Sequence, residues 1–587
     1  MQREIKNYHQ YYVVFVKTTM FMKKLFYLCA ILAFTLMSCN DNDVNFNNNA
    51  INESSTGLLI KKVRKLENPY SVSNMKKAYS ALQQEGLMKA ALNIEATHLY
   101  VRFLPKDSVE SELLMRDTTL TLFSYPLDYE LTEGEKYIDS TLIGNDFTWL
   151  YTRVPVGFIS PISQYEVLDE LYMPMIVDEN GGANQQNISQ LRIKSEVVDY
   201  WNLLEEKSLK LTGNYQEKQP TQSGMRKAKK YTPQATIRVY DDLLGINIPV
   251  SGIEVRARWW FNWESGITNS AGVAVMSGTF TGDYNWSIEW VSSLWSIRDG
   301  SLFTAYYNGP KGNQSNWVFN IDAGKSKAYG HVQRACYNMF YGNNLGAYKL
   351  PSTIVSSNGL GTIFPINISV YELNGRDKSG INYGGGWLFF SQLGIYMTGF
   401  EDITFKNKDG KDSVVQFDRY YESYNLFGTT THELAHSTHI INMDLDIASF
   451  LFVKNIVVES WASAVEWSVT NNEYNRLGLW YSLDYNNRQN WALLKSDNSK
   501  NIKSMDYSPV FIDLMDTYNQ RNYSYYDHVK YEYPDDNVSG FTLSELKGVL
   551  RKTFTIGDLK KNVKALRSDS TELANIDKLF ETYEKAK

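Results

Sequence analysis

Six consecutive residues, Thr431-His432-Glu433-Leu434-Ala435-His436, constrain this chain more than any other stretch. They follow the pattern H-E-x-x-H. On a helix, residues four apart lie on one face, so His432 and His436 can aim two imidazoles at one metal ion, with Glu433 beside any water there. The chain has only 7 histidines in 587 residues, yet His432, His436 and His439 fall within one short run, which argues against chance. A purely structural reading fits the same letters. Thr430-x-x-Glu433 matches a capping box, in which Glu433 only satisfies a helix N-terminus.

Two imidazoles leave a metal short of ligands. Downstream, Ile456 to Trp467 has helical periodicity, and Val458, Trp461, Ala462, Val465 and Val469 form an apolar stripe. Glu459 sits at the edge of that stripe. An ionised carboxylate there is costly unless paired, and a metal ion would pair it. The interval from His436 leaves room for a loop and a returning helix. Glu466, two turns further along the same face, is a rival third ligand. His439 lies about 10 Å along the helix axis from His432, too far to share one ion, and reads as a supporting or surface histidine.

H-E-L-A-H followed by a second helix carrying Glu459-Ser460-Trp461-Ala462 resembles the gluzincins, zinc metallopeptidases with two His and one Glu as ligands. The resemblance covers at most the chain from Lys325 onward, and its specific part is the two-helix motif. It implies one catalytic zinc held by His432, His436 and Glu459, Glu433 as general base, and a mostly helical, zincin-like catalytic domain. Ser437-Thr438-His439 lacks the Gly turn that a metzincin pattern would need. A peptidase of this kind presents an edge strand to substrate backbone, and Leu393–Thr398 is the candidate. The developing oxyanion needs a further donor, for which Tyr507, Tyr518 and His528 are candidates.

The start of the chain reads as an export signal. Met22-Lys23-Lys24 is basic, and the apolar run Leu25 to Met37 is too short to span a bilayer as a mature helix. Leu36-Met37-Ser38-Cys39 then resembles a bacterial lipobox. Residues 1–39 are therefore expected to be a signal peptide, with Met22 rather than Met1 as its start, and Cys39 the lipidated residue of an outer-membrane lipoprotein exposed at the cell surface. A secretory signal without lipid is the plain alternative. Of 3 cysteines, Cys29 leaves with the signal and Cys39 carries lipid. Cys336 alone remains, so no internal disulfide forms, and it is expected to be buried.

The length implies several domains, and the expected class is a multidomain α+β protein. Residues 40–57 are an Asn-rich flexible tether. Residues 58–212 read as an α+β domain without a chemical motif, with helices at Ser73–Gln84 and Ser189–Leu209 and strands at Thr97–Phe103 and Thr118–Phe123. His98 there reads as a packed or edge residue. Residues 213–233 read as a linker, and the basic run Arg226-Lys227-Ala228-Lys229-Lys230 offers an alternative as a cleavage site that would release a pro-domain. Residues 234–322 switch to period two and read as a β-sandwich that resembles the transthyretin-like modules of bacterial surface enzymes. Trp259, Trp260, Trp263, Trp286, Trp290 and Trp295 there are assigned to packing, with a glycan-binding face as the alternative. Residues 323–587 carry the chemistry. They should hold a helix at Ser326–Tyr341, a strand at Ile366–Tyr371, a strand or hairpin at Trp387–Thr398, and helix starts at Thr542 and Thr555.

These readings converge on a zinc-dependent endopeptidase of the cell envelope, acting on extracellular proteins, peptides or glycoproteins. A net charge of −6 gives no electrostatic footprint for nucleic acid. Two rivals are a surface glycan- or protein-binding lipoprotein with a structural zinc helix, and a zinc amidase acting on glycan or cell wall. Structural zinc sites close with four protein ligands. Three ligands and a Glu in the base position favour the enzyme.

Overall fold

The computed structural model describes residues 59–584 except 89–90, 143–144, 146, 175, 177–194, 216–230, 281, 300–302, 313–314, 349–365, 374–383, 390–391, 403–404, 407–411, 414–417, 421, 444–451, 482, 484–492, 495–507 and 525–530. The signal, Cys39, the tether, the basic run, Tyr507 and His528 lie outside the described residues. The chain is mixed α and β, with several sheets and a helical C-terminal region. Among the described residues no helix is long and apolar enough to cross a membrane.

Helix α1 (Val72–Gln84) starts at Ser71, whose hydroxyl accepts from the Asn74 N–H, and it buries Met75, Ala78 and Leu82. After it come β1 (His98–Phe103), α2 (Ser108–Arg116), β2 (Leu150–Pro155), β3 (Tyr165–Leu171) and α3 (Ser195–Leu211). Strand β1 is central and antiparallel to both neighbours, and α3 packs on α1. His98 is buried, with Thr97 Oγ1 2.9 Å from its Nδ1. The strand expected at Thr118–Phe123 does not form. Asp117 Oδ1 instead accepts from the Thr119 N–H at 2.9 Å and hydroxyl at 2.6 Å. This local turn competes with a ladder, and only Phe123 makes a bridge, to Tyr151.

In β4 (Gln234–Asp241), Ala235, Ile237, Val239 and Asp241 face inward and the residues between them do not, as a period of two demands. The strands that follow are β5 (Ile246–Pro249), β6 (Glu254–Trp259), β7 (Asn262–Ile267), β8 (Val273–Val275), β9 (Tyr284–Glu289), β10 (Trp295–Asp299), β11 (Phe303–Thr304), β12 (Tyr306–Gly312) and β13 (Trp317–Ile321). One sheet has the order β8-β4-β13 with β5 also on β4, and a second the order β7-β6-β9-β12. Both contribute to one core with Val255, Trp286 and Trp290. Trp260, Trp286, Trp290 and Trp295 are buried, and Trp259 and Trp263 are half-buried against the core around Tyr70 and Tyr100. Residues 59–215 lean on these sheets, because Trp260, Phe261 and Tyr306 complete the core around Tyr70 and Tyr100.

Strands β10 and β11 pair elsewhere. They open a sheet with β14 (Ile366–Leu373), β15 (Gly384–Phe389), β16 (Gln392–Asp402) and β17 (Asp418–Tyr420), in the order β11-β10-β14-β16-β15 with β17 also on β16. Hydrogen bonding therefore runs from residue 295 into the C-terminal region. The expected hairpin is β15–β16. Leu393–Thr398 is not an edge strand, however. β14 pairs along one side of β16 and β15 along the other, up to Tyr396. The hairpin folds back over the strand that was expected to be open, and β15 ends that side of the sheet.

Helix α4 (Lys325–Tyr341) is buried along almost its whole length. It starts after Gly324, whose φ of 75° suits glycine. A Cβ there would come 2.6 Å from the Glu135 carboxylate. Glu135 accepts from the N–H groups of Lys325 and Ser326 at 3.0 and 2.7 Å, which caps the orphan donors of the first turn. Helix α5 (Ser423–Met443) packs against both α4 and α6 (Asn455–Arg476). The tail holds α7 (Val510–Asp513), α8 (Leu543–Leu550), α9 (Ile556–Lys564) and α10 (Ser570–Tyr583). Thr542 and Thr555 both form the capping boxes that the spacing predicts. Cys336 is fully buried and reduced.

Candidate metal centre

Buried polar contacts hold the helices of the site in place. At the end of β4, Asp241 Oδ2 accepts from Arg334 of α4 at 3.1 Å and from the Tyr474 hydroxyl of α6 at 2.7 Å. His331 stands beside Arg334. Its Nε2 is 3.1 Å from the Tyr240 carbonyl and its Nδ1 is 3.0 Å from the Arg334 guanidinium. The carbonyl can only accept and the guanidinium can only donate, so the proton is assigned to Nε2. Burial, and then the Arg334 charge, push the His331 pKa well down and keep it neutral. The first residue of α5 is tied to the next turn, where the Ser423 hydroxyl donates to Asp242 Oδ2 at 2.8 Å.

Helix α5 is already under way when it reaches Thr430. Thr430 and Thr431 donate their hydroxyls to the carbonyls of Leu426 and Phe427, at 2.7 and 2.9 Å. Both residues are helix interior, so the capping-box reading of Thr430-x-x-Glu433 is overturned. The helix begins at Ser423 instead.

His432, His436 and Glu459 come together. The two Nε2 atoms are 3.2 Å apart, and each lies 3.3 Å from Glu459 Oε2. The three donor atoms thus form a nearly equilateral triangle. A tetrahedral ion with bonds of about 2.1 Å sets its donors about 3.4 Å apart, so the group fits such an ion. His432 and Glu459 are buried and His436 is half-buried, so a cation between them would offset the cost of burying the carboxylate. Burial would raise the Glu459 carboxyl. The neighbouring His436 and His432 imidazoles outweigh burial and hold it well below the usual carboxylate range.

Glu466, the rival ligand, lies outside the triangle. Its Oε2 lies 3.0 Å from His432 Nδ1, on the far side of the ring from Glu459. A carboxylate accepts, so the proton is assigned to Nδ1 and Nε2 presents its lone pair to the group. Seven residues of helix separate the two glutamates by about 10 Å. That distance lets only one of the two belong to the triangle. Glu433, one residue past His432, is 5 % exposed. His439 is fully buried against the Trp461 ring, which corrects the surface reading. Burial and then the His436 charge push its pKa down to about 3. Tyr518 stacks on Tyr523 in the loop after α7, outside the triangle.

No known protein family matches the chain, and no curated protein matches it either.

Proposed function

We propose that this chain is a zinc metallopeptidase of the gluzincin kind, tethered to the cell envelope. The observation that supports this most is the triangle of His432 Nε2, His436 Nε2 and Glu459 Oε2, with Glu433 one residue beyond the first ligand. Two imidazoles and one carboxylate suit zinc and leave its fourth position free. Bound there, zinc supplies Lewis acidity that acidifies water and polarises a carbonyl. Glu433 takes a proton from the attacking water and gives it to the leaving amine. Glu466 holds His432 in the tautomer that offers Nε2 to the ion.

In this reading residues 323–587 form a zincin-like catalytic domain, the two central sheets a transthyretin-like β-sandwich, and residues 58–212 a separate α+β domain. The lipobox supports attachment through Cys39 to the outer membrane, facing outward, with extracellular proteins, peptides or glycoproteins as substrates. Cys39→Ser should release the protein from membranes or block its processing, and unchanged partitioning with an unchanged N-terminal mass would remove the anchor from the account. The test of the activity is metal analysis together with a hydrolysis screen over peptides, glycoproteins and cell-wall fragments. About one zinc per chain and cleavage of peptide bonds are expected. Stoichiometric zinc with nothing hydrolysed would favour a binding protein, and cleavage confined to cell-wall amides an amidase.

A further inference from the structure

A second buried group of ionisable side chains lies in the segment behind α6. Asp513, at the end of α7, is fully buried. Its Oδ2 accepts from the Tyr583 hydroxyl of α10, and its Oδ1 is shielded from solvent with no hydrogen-bond partner among the described residues. Asp536 is 3 % exposed. Its Oδ1 accepts from the Val538 N–H at 3.1 Å, and its Oδ2 is likewise shielded and without a partner among the described residues. Asp516, half-buried, completes the group, and one oxygen from each of the three lies within 4.8 Å of the others.

The charged groups that act most on Asp513 and Asp536 are acidic, and the nearby Arg521 is turned to Asp535 at 3.7 Å and to the Tyr533 carbonyl. Asp513 faces Asp536, Asp516 and the Tyr583 hydroxyl, and Asp536 faces Asp516, Asp535 and the Val538 N–H. A buried carboxylate oxygen without a partner is costly, and two of them side by side more so. Acidic clusters are common on solvated loops, where they need no ion. This one is different because two of its oxygens are cut off from water.

We propose that Asp513, Asp516 and Asp536 bind a hard divalent cation of calcium's class, in a site separate from the His432 centre. The donors are all oxygen, which suits hard cations better than zinc, whose sites favour nitrogen and sulfur. They sit on loops and helix ends, which suit the flexible geometry and bonds of about 2.3–2.6 Å that calcium accepts. The half-buried Asp516 leaves a side through which water can complete the shell. Burial first, and then Asp516 and Asp535, push the Asp536 carboxyl up to about 8 in the cation-free chain, in keeping with a site short of positive charge.

The cation would brace the segment that backs the first centre. Ser508, just before α7, donates its N–H to the Ser460 hydroxyl at 2.9 Å. Ser460 is the residue after Glu459. Ordering the loops around Asp513 therefore steadies the helix that carries a ligand of the other centre.

The test uses the full chain, zinc-loaded and freed of other divalent ions, titrated with terbium as a luminescent stand-in that Tyr583 can sensitise, and then with calcium. Saturable emission from one site is expected, displaced by calcium and retained in His436→Ala. It should weaken at least about tenfold in Asp516→Asn and Asp513→Asn. Calcium should raise the unfolding midpoint by roughly 3 °C or more in the parent chain and not in these variants. Asp516→Asn keeps the test decisive if Asp513→Asn fails to fold, because Asp516 is only half-buried. Emission unchanged in Asp516→Asn, emission lost in His436→Ala, or no saturable emission at all would overturn the proposal. So would a parent chain indifferent to calcium but stabilised by Asp513→Asn, since the carboxyls would then be sharing a proton.

Discussion

His432, His436 and Glu459 project from two long packed helices, whereas Asp513, Asp516 and Asp536 come from a one-turn helix and the loops after it. The first group mixes nitrogen and oxygen donors at 3.2 to 3.3 Å, with one ligand ring held from behind by Glu466. The second offers only oxygen, and the Tyr583 hydroxyl that donates to Asp513 arrives from 70 residues away. Rigid helices with a held tautomer aim lone pairs at a point, which suits an ion that must do chemistry. Carboxylates gathered from loops suit an ion that ties loops together. Burying charge therefore does not by itself mark catalysis. The donor type and the stiffness of what carries it separate the two cases.

The largest expected effect comes from breaking the first group. His432→Ala should lose zinc and bring hydrolysis down to the uncatalysed background, measured by metal analysis and rate together, while terbium binding at the second group is unchanged. Loss of both signals would merge the two sites into one. Next, Glu466→Gln should keep zinc at saturation but lower its affinity by roughly 10–100-fold, read by competition with a chelating dye. An unchanged affinity would reduce Glu466 to a bystander. Smaller still, Tyr583→Phe removes the hydroxyl that Asp513 accepts from and should cost about 1–3 kcal/mol of stability. That loss should be larger without calcium than with it, and denaturant unfolding in both conditions checks it. The smallest is Thr542→Ala, which removes a helix cap away from both groups. It should cost about 1 kcal/mol and leave the affinity of each site for its ion as it was.

The first group was legible because helix geometry compresses it into short patterns. Two ligands four apart need no tertiary knowledge, and Glu459 stands out as a carboxylate beside an apolar stripe. The role of Glu466 was not legible, since the same face and spacing that suggest a ligand also suit a partner for the far side of His432. The second group leaves no pattern at all. Its members are spread from 513 to 536, and what makes them unusual is burial, which only tertiary packing produces. The same limit explains the edge strand. Leu393–Thr398 has the right letters, but whether a strand lies at an edge depends on what folds back over it. The capping boxes at Thr542 and Thr555 were readable because caps are local, and the false one at Thr430 failed because α5 had already begun at Ser423.

The central claim is that the His432 group holds the metal while Glu433 moves the proton, and one comparison tests it most directly. Zinc content and peptide hydrolysis would be measured side by side for the parent chain, Glu433→Gln and Glu459→Gln. Glu433→Gln keeps the shape of the side chain but cannot take up a proton. It should retain about one zinc per chain and lose roughly 10²–10⁴-fold in rate. Glu459→Gln should lose zinc first and rate as a consequence, because a neutral amide is a poorer ligand for a dication. If Glu433→Gln instead shed the metal while Glu459→Gln kept both metal and rate, the roles assigned to the two glutamates would be wrong.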